Sequence, residues 1–127
     1  MENETESECS LPESAVESLI NVSVEGWRFA RVYTRAVSKL DASHQSKYLS
    51  PLNYFLKQIE DNLKLFGVSL VAFEGQPFDP GLPIKAINLS DFANNDHLLI
   101  DVMLEPVVMG KSGLLRMGSA ILKRVDL

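Results

Sequence analysis

The feature that most restricts this chain is a change of apolar period at Gly67. Before it, Leu52, Phe55, Leu56, Ile59, Leu63 and Phe66 recur at three- and four-residue steps, the spacing of one helical face. After it, Val68 to Phe73 is a continuous β-type run, and the remaining segments are short, extended and separated by turn residues. A glycine between the two regimes suits the left-handed conformation in which helices end. The chain therefore reads as helices first and strands afterwards, the segregated pattern of an α+β fold.

The helical part divides in two. Ser14 followed by Glu17 matches a capping box, and a helix from about Ala15 to Leu40 follows. Phe29, Val32, Tyr33, Ala36, Val37 and Leu40 form its clearest apolar face. Val22, Val24 and Gly26 lower helix propensity, so a break is allowed between Asn21 and Gly26. Asp41 to Leu49 reads as a polar connection. Ser50 then acts as N-cap, with Pro51 at the first helical position, where its missing N–H is no loss. The second helix, about Pro51 to Phe66, buries roughly 1.5–3 kcal/mol per large apolar side chain. Ordering its backbone costs as much, so its stripe requires a partner surface.

In the second half, Ile84 to Leu89 is the next strand candidate after the turn-rich segment Glu74 to Gly81. Asp91 to Asp96 is a polar loop, and Leu98 to Val108 a longer extended run. Pro106 cannot donate to a ladder and marks a bulge or an edge. Met109 to Gly113 is a turn, and Leu114 to Val125 supplies the last strands. The expected organisation is an acidic disordered tail over residues 1–13, a helical hairpin over 14–67 and a small antiparallel β-domain over 68–127.

Charge and composition remove several functions. The net charge of -5 belongs to one end: residues 1–27 hold seven glutamates and no base, and the rest carries +2. A near-neutral folding part lacks the basic face that a general nucleic-acid binder needs. No basic-then-apolar leader and no apolar run long enough to span a bilayer is present, which points to a cytoplasmic protein without membrane attachment. The single cysteine, Cys9, excludes an internal disulfide and a cysteine-pair metal site.

The chain also lacks a recognisable reaction centre. His44 and His97 have no ligand at metal-binding spacing, so both read as surface histidines. Gly110-Lys111-Ser112 resembles the end of a phosphate-binding loop, but Glu105 stands where that motif needs glycine, and a hairpin tip fits better. No nucleophile elbow, dinucleotide fingerprint or carboxylate pair appears. The expectation is a non-enzyme with no catalytic residue, no metal and no cofactor. Arg28, Arg31, Arg35 and Lys39 form a basic stripe that is either a solvated helix face or a docking surface for an acidic partner.

Phe66-Gly67-Val68, then Glu74-Gly75-Gln76-Pro77-Phe78-Asp79-Pro80, then Leu115-Arg116 before a closing apolar strand, resembles the GrpE family, nucleotide exchange factors of DnaK-type chaperones in protein folding and the stress response. The resemblance runs from about Phe29 to Val125 and is specific from Phe66 to Pro80. It implies a homodimer in which two hairpins form a four-helix bundle, with Phe29, Tyr33 and Leu40 of the first helix and Leu52, Phe55, Leu56, Ile59 and Leu63 of the second at the interface. It further implies that the β-domain binds the chaperone ATPase domain through Phe78, Pro80, Leu104, Arg116 and Leu122.

The chain departs from that pattern in places. Gly81-Leu82-Pro83 replaces the family's usual asparagine, aliphatic and histidine; Glu105-Pro106-Val107 replaces a lysine-glycine; Gly113 replaces an arginine. Most of the family's long N-terminal helix has no counterpart. A shortened, divergent relative is expected. The alternative is an acidic secretion chaperone or adaptor that holds an unfolded partner segment, a class that usually carries a helix near its C-terminus.

Overall fold

A computed structural model describes residues 12–125. Of the expected tail, residues 1–11, Cys9 included, lie outside the described residues. The chain forms two compact units, residues 1–69 and 70–127.

The first unit is a helical hairpin. Helix α1 spans Glu13–Val37 and helix α2 spans Ala42–Lys64. The N-cap of α1 is Pro12, whose carbonyl accepts from the amides of Ala15 and Val16 at 2.9 and 3.1 Å. Ser14 is already helical, so the expected capping box is not formed, and Glu13, assigned to the tail, is the first helical residue. The helix runs unbroken through Asn21–Gly26. Its weak propensity there is overridden by packing: Ser23 and Val24 are buried, and a Cβ on Gly26 would stand 3.0 Å from both Ile59 Cδ1 and Phe55 Cζ. Gly26 thus lies where the two helices approach closely.

The expected polar connection Asp41–Leu49 is instead the start of α2. Asp41, and not Ser50, is the N-cap: its Oδ1 accepts from the His44 amide at 3.0 Å and the Ser43 hydroxyl at 3.0 Å, and stands 2.7 Å from His44 Nδ1. The His44 imidazole first, then the His44 amide and the Ser43 hydroxyl, hold the Asp41 carboxyl below its ordinary range. Gln45 Nε2 donates to the Leu40 carbonyl at 2.6 Å, which satisfies an acceptor left over beyond the end of α1.

Pro51 therefore sits inside α2, nine residues beyond Ala42, and leaves the Lys47 carbonyl without its helical donor. The proline and Lys47 are both exposed, so water can replace that bond. One residue further on, the Tyr48 carbonyl accepts from the Tyr33 hydroxyl at 3.0 Å, tying α1 to the distorted turn. The C-terminus follows expectation. Gly67 has φ 71°, its amide donates to the Lys64 carbonyl, and the Val68 amide donates to the Leu63 carbonyl, a complete Schellman motif.

The strands make two three-stranded sheets. One has the order β1 (Ser69–Val71), β4 (Val107–Gly110), β5 (Gly113–Arg116); the other has β2 (Ile84–Ala86), β6 (Gly118–Arg124), β3 (Leu98–Glu105). The second strand is shorter than the expected Ile84–Leu89, because Leu89–Asp91 turns into a 3-10 helix. The unit is not wholly antiparallel: β6 runs antiparallel to β3 but parallel to β2, with Ile84 opposite Gly118 and Ala86 opposite Ala120. A central last strand requires this, since β2 and β3 flank it in opposite directions.

Pro106 is fully buried between β3 and β4, where the chain leaves one sheet for the other. Its lost donor is harmless at that corner, and β3 carries register shifts just before it. The core joins the two sheets. A Cβ on Gly118 would lie 3.0 Å from Met103 Cε and from Val107 Cγ2, and 2.8 Å from the Glu105 carbonyl oxygen. Ile84, Ile100, Val108, Ala120 and Leu122 complete the buried apolar set.

Candidate partner-binding surface

The segment that carries the family resemblance is held as an irregular edge along β3. Gly75, at φ 85°, donates to the Ile100 carbonyl at 2.8 Å; Ile100 donates back to Gln76 at 2.9 Å; Pro77 bridges Leu99; and Phe78 donates to Leu98 at 2.9 Å. Pro77 has no N–H to offer, and its position on an outer edge makes none necessary. Glu74 stabilises the irregular part of β3 by accepting from the Met103 amide at 2.9 Å. These bonds set Phe78 beside Leu98. Asp79 then turns the chain, its Oδ1 accepting from the Gly81 amide at 3.2 Å.

A second segment faces this one. After β2 the Ile87 amide still donates to Ala120, and the next residue continues the ladder with its side chain: Asn88 Oδ1 accepts from the Leu122 amide at 2.9 Å while Nδ2 donates to the Leu122 carbonyl at 3.0 Å. The Asn88 amide thus stands in for a peptide unit, and it frees its own backbone to turn into Leu89–Asp91. Phe78, Pro80, Leu89, Phe92 and Leu98 line the resulting groove of about 270 Å³ together with Ala93, Asn94 and Asp96. Leu89 is 47% exposed, although nothing polar is gained by its exposure.

The expected β-domain contacts separate on this structure. Phe78 and Pro80 are brought together in the groove. Leu104 is 40% exposed on β3 and Arg116 half-exposed on β5, and neither lines it. Leu122 is 2% exposed opposite Ile100 and belongs to the core, so its side chain is not available as a contact. Leu89 and Phe92 were not expected; the one signal for them is an aromatic residue, Phe92, inside an otherwise polar loop.

On the hairpin, Leu52 and Leu63 are buried within the unit, while Tyr33, Leu56 and Ile59 are half-buried. Phe29, Leu40 and Phe55 remain exposed, Phe29 at 62%. The Phe29 and Tyr33 rings lie 6.1 Å apart, and Tyr33, Ala36, Val37, Leu40 and Tyr48 line a shallow apolar recess of about 290 Å³. The basic stripe is partly engaged within its own helix: Arg28 pairs with Glu25 at 3.3 Å, and the Arg31 guanidinium lies 4.1 Å over the Trp27 ring.

Chemical roles elsewhere are sparse. His44 serves the α2 cap, Gly110-Lys111-Ser112 is the β4–β5 hairpin tip, and the described residues hold no group of three His, Cys, Asp or Glu placed for a metal ion. No described helix is long and apolar enough to cross a membrane. No protein-family model, curated protein or solved structure matches the chain.

Proposed function

We propose that this chain is a GrpE-like co-chaperone: a cytoplasmic homodimer that accelerates ADP release from the ATPase domain of a DnaK-type chaperone. The observation that carries the reading is the local structure of its most specific motif. Phe66-Gly67-Val68 closes a helix in a Schellman turn, and Glu74 to Pro80 forms an edge segment on which Pro80 is exposed and Phe78 half-buried. The exposed Phe29 and Phe55 support the dimer, because an apolar face of this kind on a two-helix unit is what a four-helix bundle covers. The secretion-chaperone alternative is disfavoured, since β5 and β6 occupy the region where that class carries a helix.

The activity is a population shift without bond chemistry. The β-unit binds the open form of the nucleotide cleft more tightly than the closed form, and ADP leaves from the open form. Carrying a cleft from about 1% to about 99% open requires roughly 10⁴-fold preference for the open state. Apolar contacts made only with the open form would supply such a preference, and Phe78, Pro80 and Leu104 are the side chains proposed to make them.

Stopped-flow release of a fluorescent ADP analogue from the cognate chaperone tests the reading. Saturating wild-type protein is expected to accelerate release. Leu104→Asp, which places a charge in the contact, and Phe78→Ala are each expected to raise the half-maximal concentration at least tenfold, or ~1.4 kcal/mol. No acceleration at saturation would refute the function.

A further inference from the structure

We infer that the groove of Phe78, Pro80, Leu89, Phe92 and Leu98 is a socket for one large apolar side chain of a partner polypeptide, flanked in that partner by a basic residue. The inference rests on the reading of Phe78 and Pro80 as partner contacts, and it adds what they recognise.

Size selects the occupant. At about 270 Å³ the groove lies just below the ~300–1,000 Å³ of small-molecule sites, and it is open to solvent on one side. A single aromatic or branched aliphatic anchor fills a recess of this scale, in the manner of the buried anchors that dominate protein interfaces. The lining is mostly apolar, and its largest exposed member, Leu89, turns outward where a core would have enclosed it.

Charge selects the neighbours of the anchor. The stretch of chain that supplies most of the lining, residues 78–98, holds Asp79, Asp91 and Asp96 against one base, Lys85. Asp96 lines the groove, and the exposed Asp79 and Asp91 are chain neighbours of the lining residues Phe78, Pro80 and Phe92. Arg124 pairs with Asp96 at 4.0 Å, which leaves Asp79 and Asp91 as the acids on the groove's exposed side. An apolar lining with net negative neighbours favours a basic-flanked anchor over an acidic-flanked one.

The socket is also preformed. Asp96 Oδ2 accepts from the Ala93 amide at 2.9 Å and fixes the turn at one wall; the two Asn88 bonds fix the other; the Phe78–Leu98 bond sets the floor. Few groups remain to be ordered on binding, which is the main cost that a short recognition segment faces.

The test is titration of the ¹⁵N-labelled full chain with three blocked pentapeptides, Gly-Lys-Phe-Lys-Gly, Gly-Glu-Phe-Glu-Gly and Gly-Lys-Ala-Lys-Gly. The first is expected to shift the amides of Leu89, Phe92, Asp96 and Leu98 saturably. The second should bind at least threefold more weakly at low salt, a gap that narrows as salt is added, and the third should produce no saturable shift. Asp91→Lys should reverse the charge preference. Leu89→Ser, at an exposed position, should weaken the first peptide at least fivefold; if that variant loses its dispersed spectrum, Asp91→Lys decides alone.

Absence of saturable shifts with the lysine-phenylalanine peptide, equal affinity of the glutamate peptide, or an unchanged preference in Asp91→Lys would each overturn the socket. The outcome separates from that of the exchange reaction. Peptide binding by a chain that does not release ADP leaves the socket and removes the exchange function; ADP release without peptide binding does the reverse.

Discussion

Replacing Asn88 by alanine should destabilise the β-unit by about 2–4 kcal/mol. The substitution removes two part-buried hydrogen bonds, of 2.9 Å to the Leu122 amide and 3.0 Å to its carbonyl; Asn88 is half-buried and Leu122 is 2% exposed. Each buried main-chain group left without a partner costs roughly 1–3 kcal/mol. Alanine cannot replace either bond, and Leu122 is buried, so each penalty applies at the lower part of its range. Asn88→Asp should do no better, since it keeps an acceptor for the amide but sets a carboxylate against the carbonyl. Because the chain has two compact units, a single melting curve would mix their transitions. Residue-resolved hydrogen exchange is the better assay. Protection at Leu122, Ala120 and Ile100 should fall about 30- to 1,000-fold, taking 1.4 kcal/mol per tenfold, with α1 and α2 unchanged. A loss below about 0.5 kcal/mol with Leu122 still protected would show that the side chain does not act as a substitute peptide unit.

The two crowded glycines should differ although their side-chain clearances are equal. Gly26→Ala meets only the flexible ends of Phe55 and Ile59 and gains up to ~1 kcal/mol of helix propensity, so denaturant midpoints of the hairpin should change little; Gly118→Ala meets the Glu105 carbonyl at 2.8 Å and should cost ~1–3 kcal/mol by overpacking. Light scattering should give twice the 14.1 kDa chain mass, and Phe29→Glu with Phe55→Glu should return it to the single-chain value; a concentration-independent single-chain mass for the wild type would refute the dimer. Asp41→Asn should be less stable than wild type at neutral pH. The folded carboxyl ionises at lower pH than the unfolded one, so this advantage is complete above the ordinary carboxyl range near ~4 and is lost as pH falls through the lowered folded value. Thermal melts in which the difference persists at about pH 2 would rule out charge as its source.

The fold class was legible because period is a strong signal: the stripe Leu52 to Phe66 and the glycine after it both appear where the spacing places them. What was hidden is informative. Ser50-Pro51 has the form of a helix start, yet Asp41 is a better cap with more donors to satisfy, and the exposed Lys47 carbonyl tolerates the proline. Gly26 and its valine neighbours lower local propensity, and only the approach of Phe55 and Ile59 shows why the helix continues. The candidate site was half legible. Phe78 and Pro80 were found through the motif, but Leu89 and Phe92 join them only because the Asn88 side chain completes a ladder 34 residues away in sequence, a relation that no local pattern records. Leu122 was expected as a contact only through the family resemblance, and a position matched by resemblance does not show that its side chain is covered by the chain's own core.

The order β2-β6-β3 has a consequence for how this protein is made. Its middle strand is synthesised last, so β2 and β3 leave the ribosome with no pairing to one another and with apolar residues such as Ile84, Ile100 and Met103 uncovered. The hairpin, built from near neighbours in sequence, can assemble while the rest is still being translated; the second sheet must wait until Gly118–Arg124 arrives and pairs with both flanking strands at once. A chain that ended before Met117 would leave β2 and β3 without the strand that both pair with, and their inner apolar residues without cover.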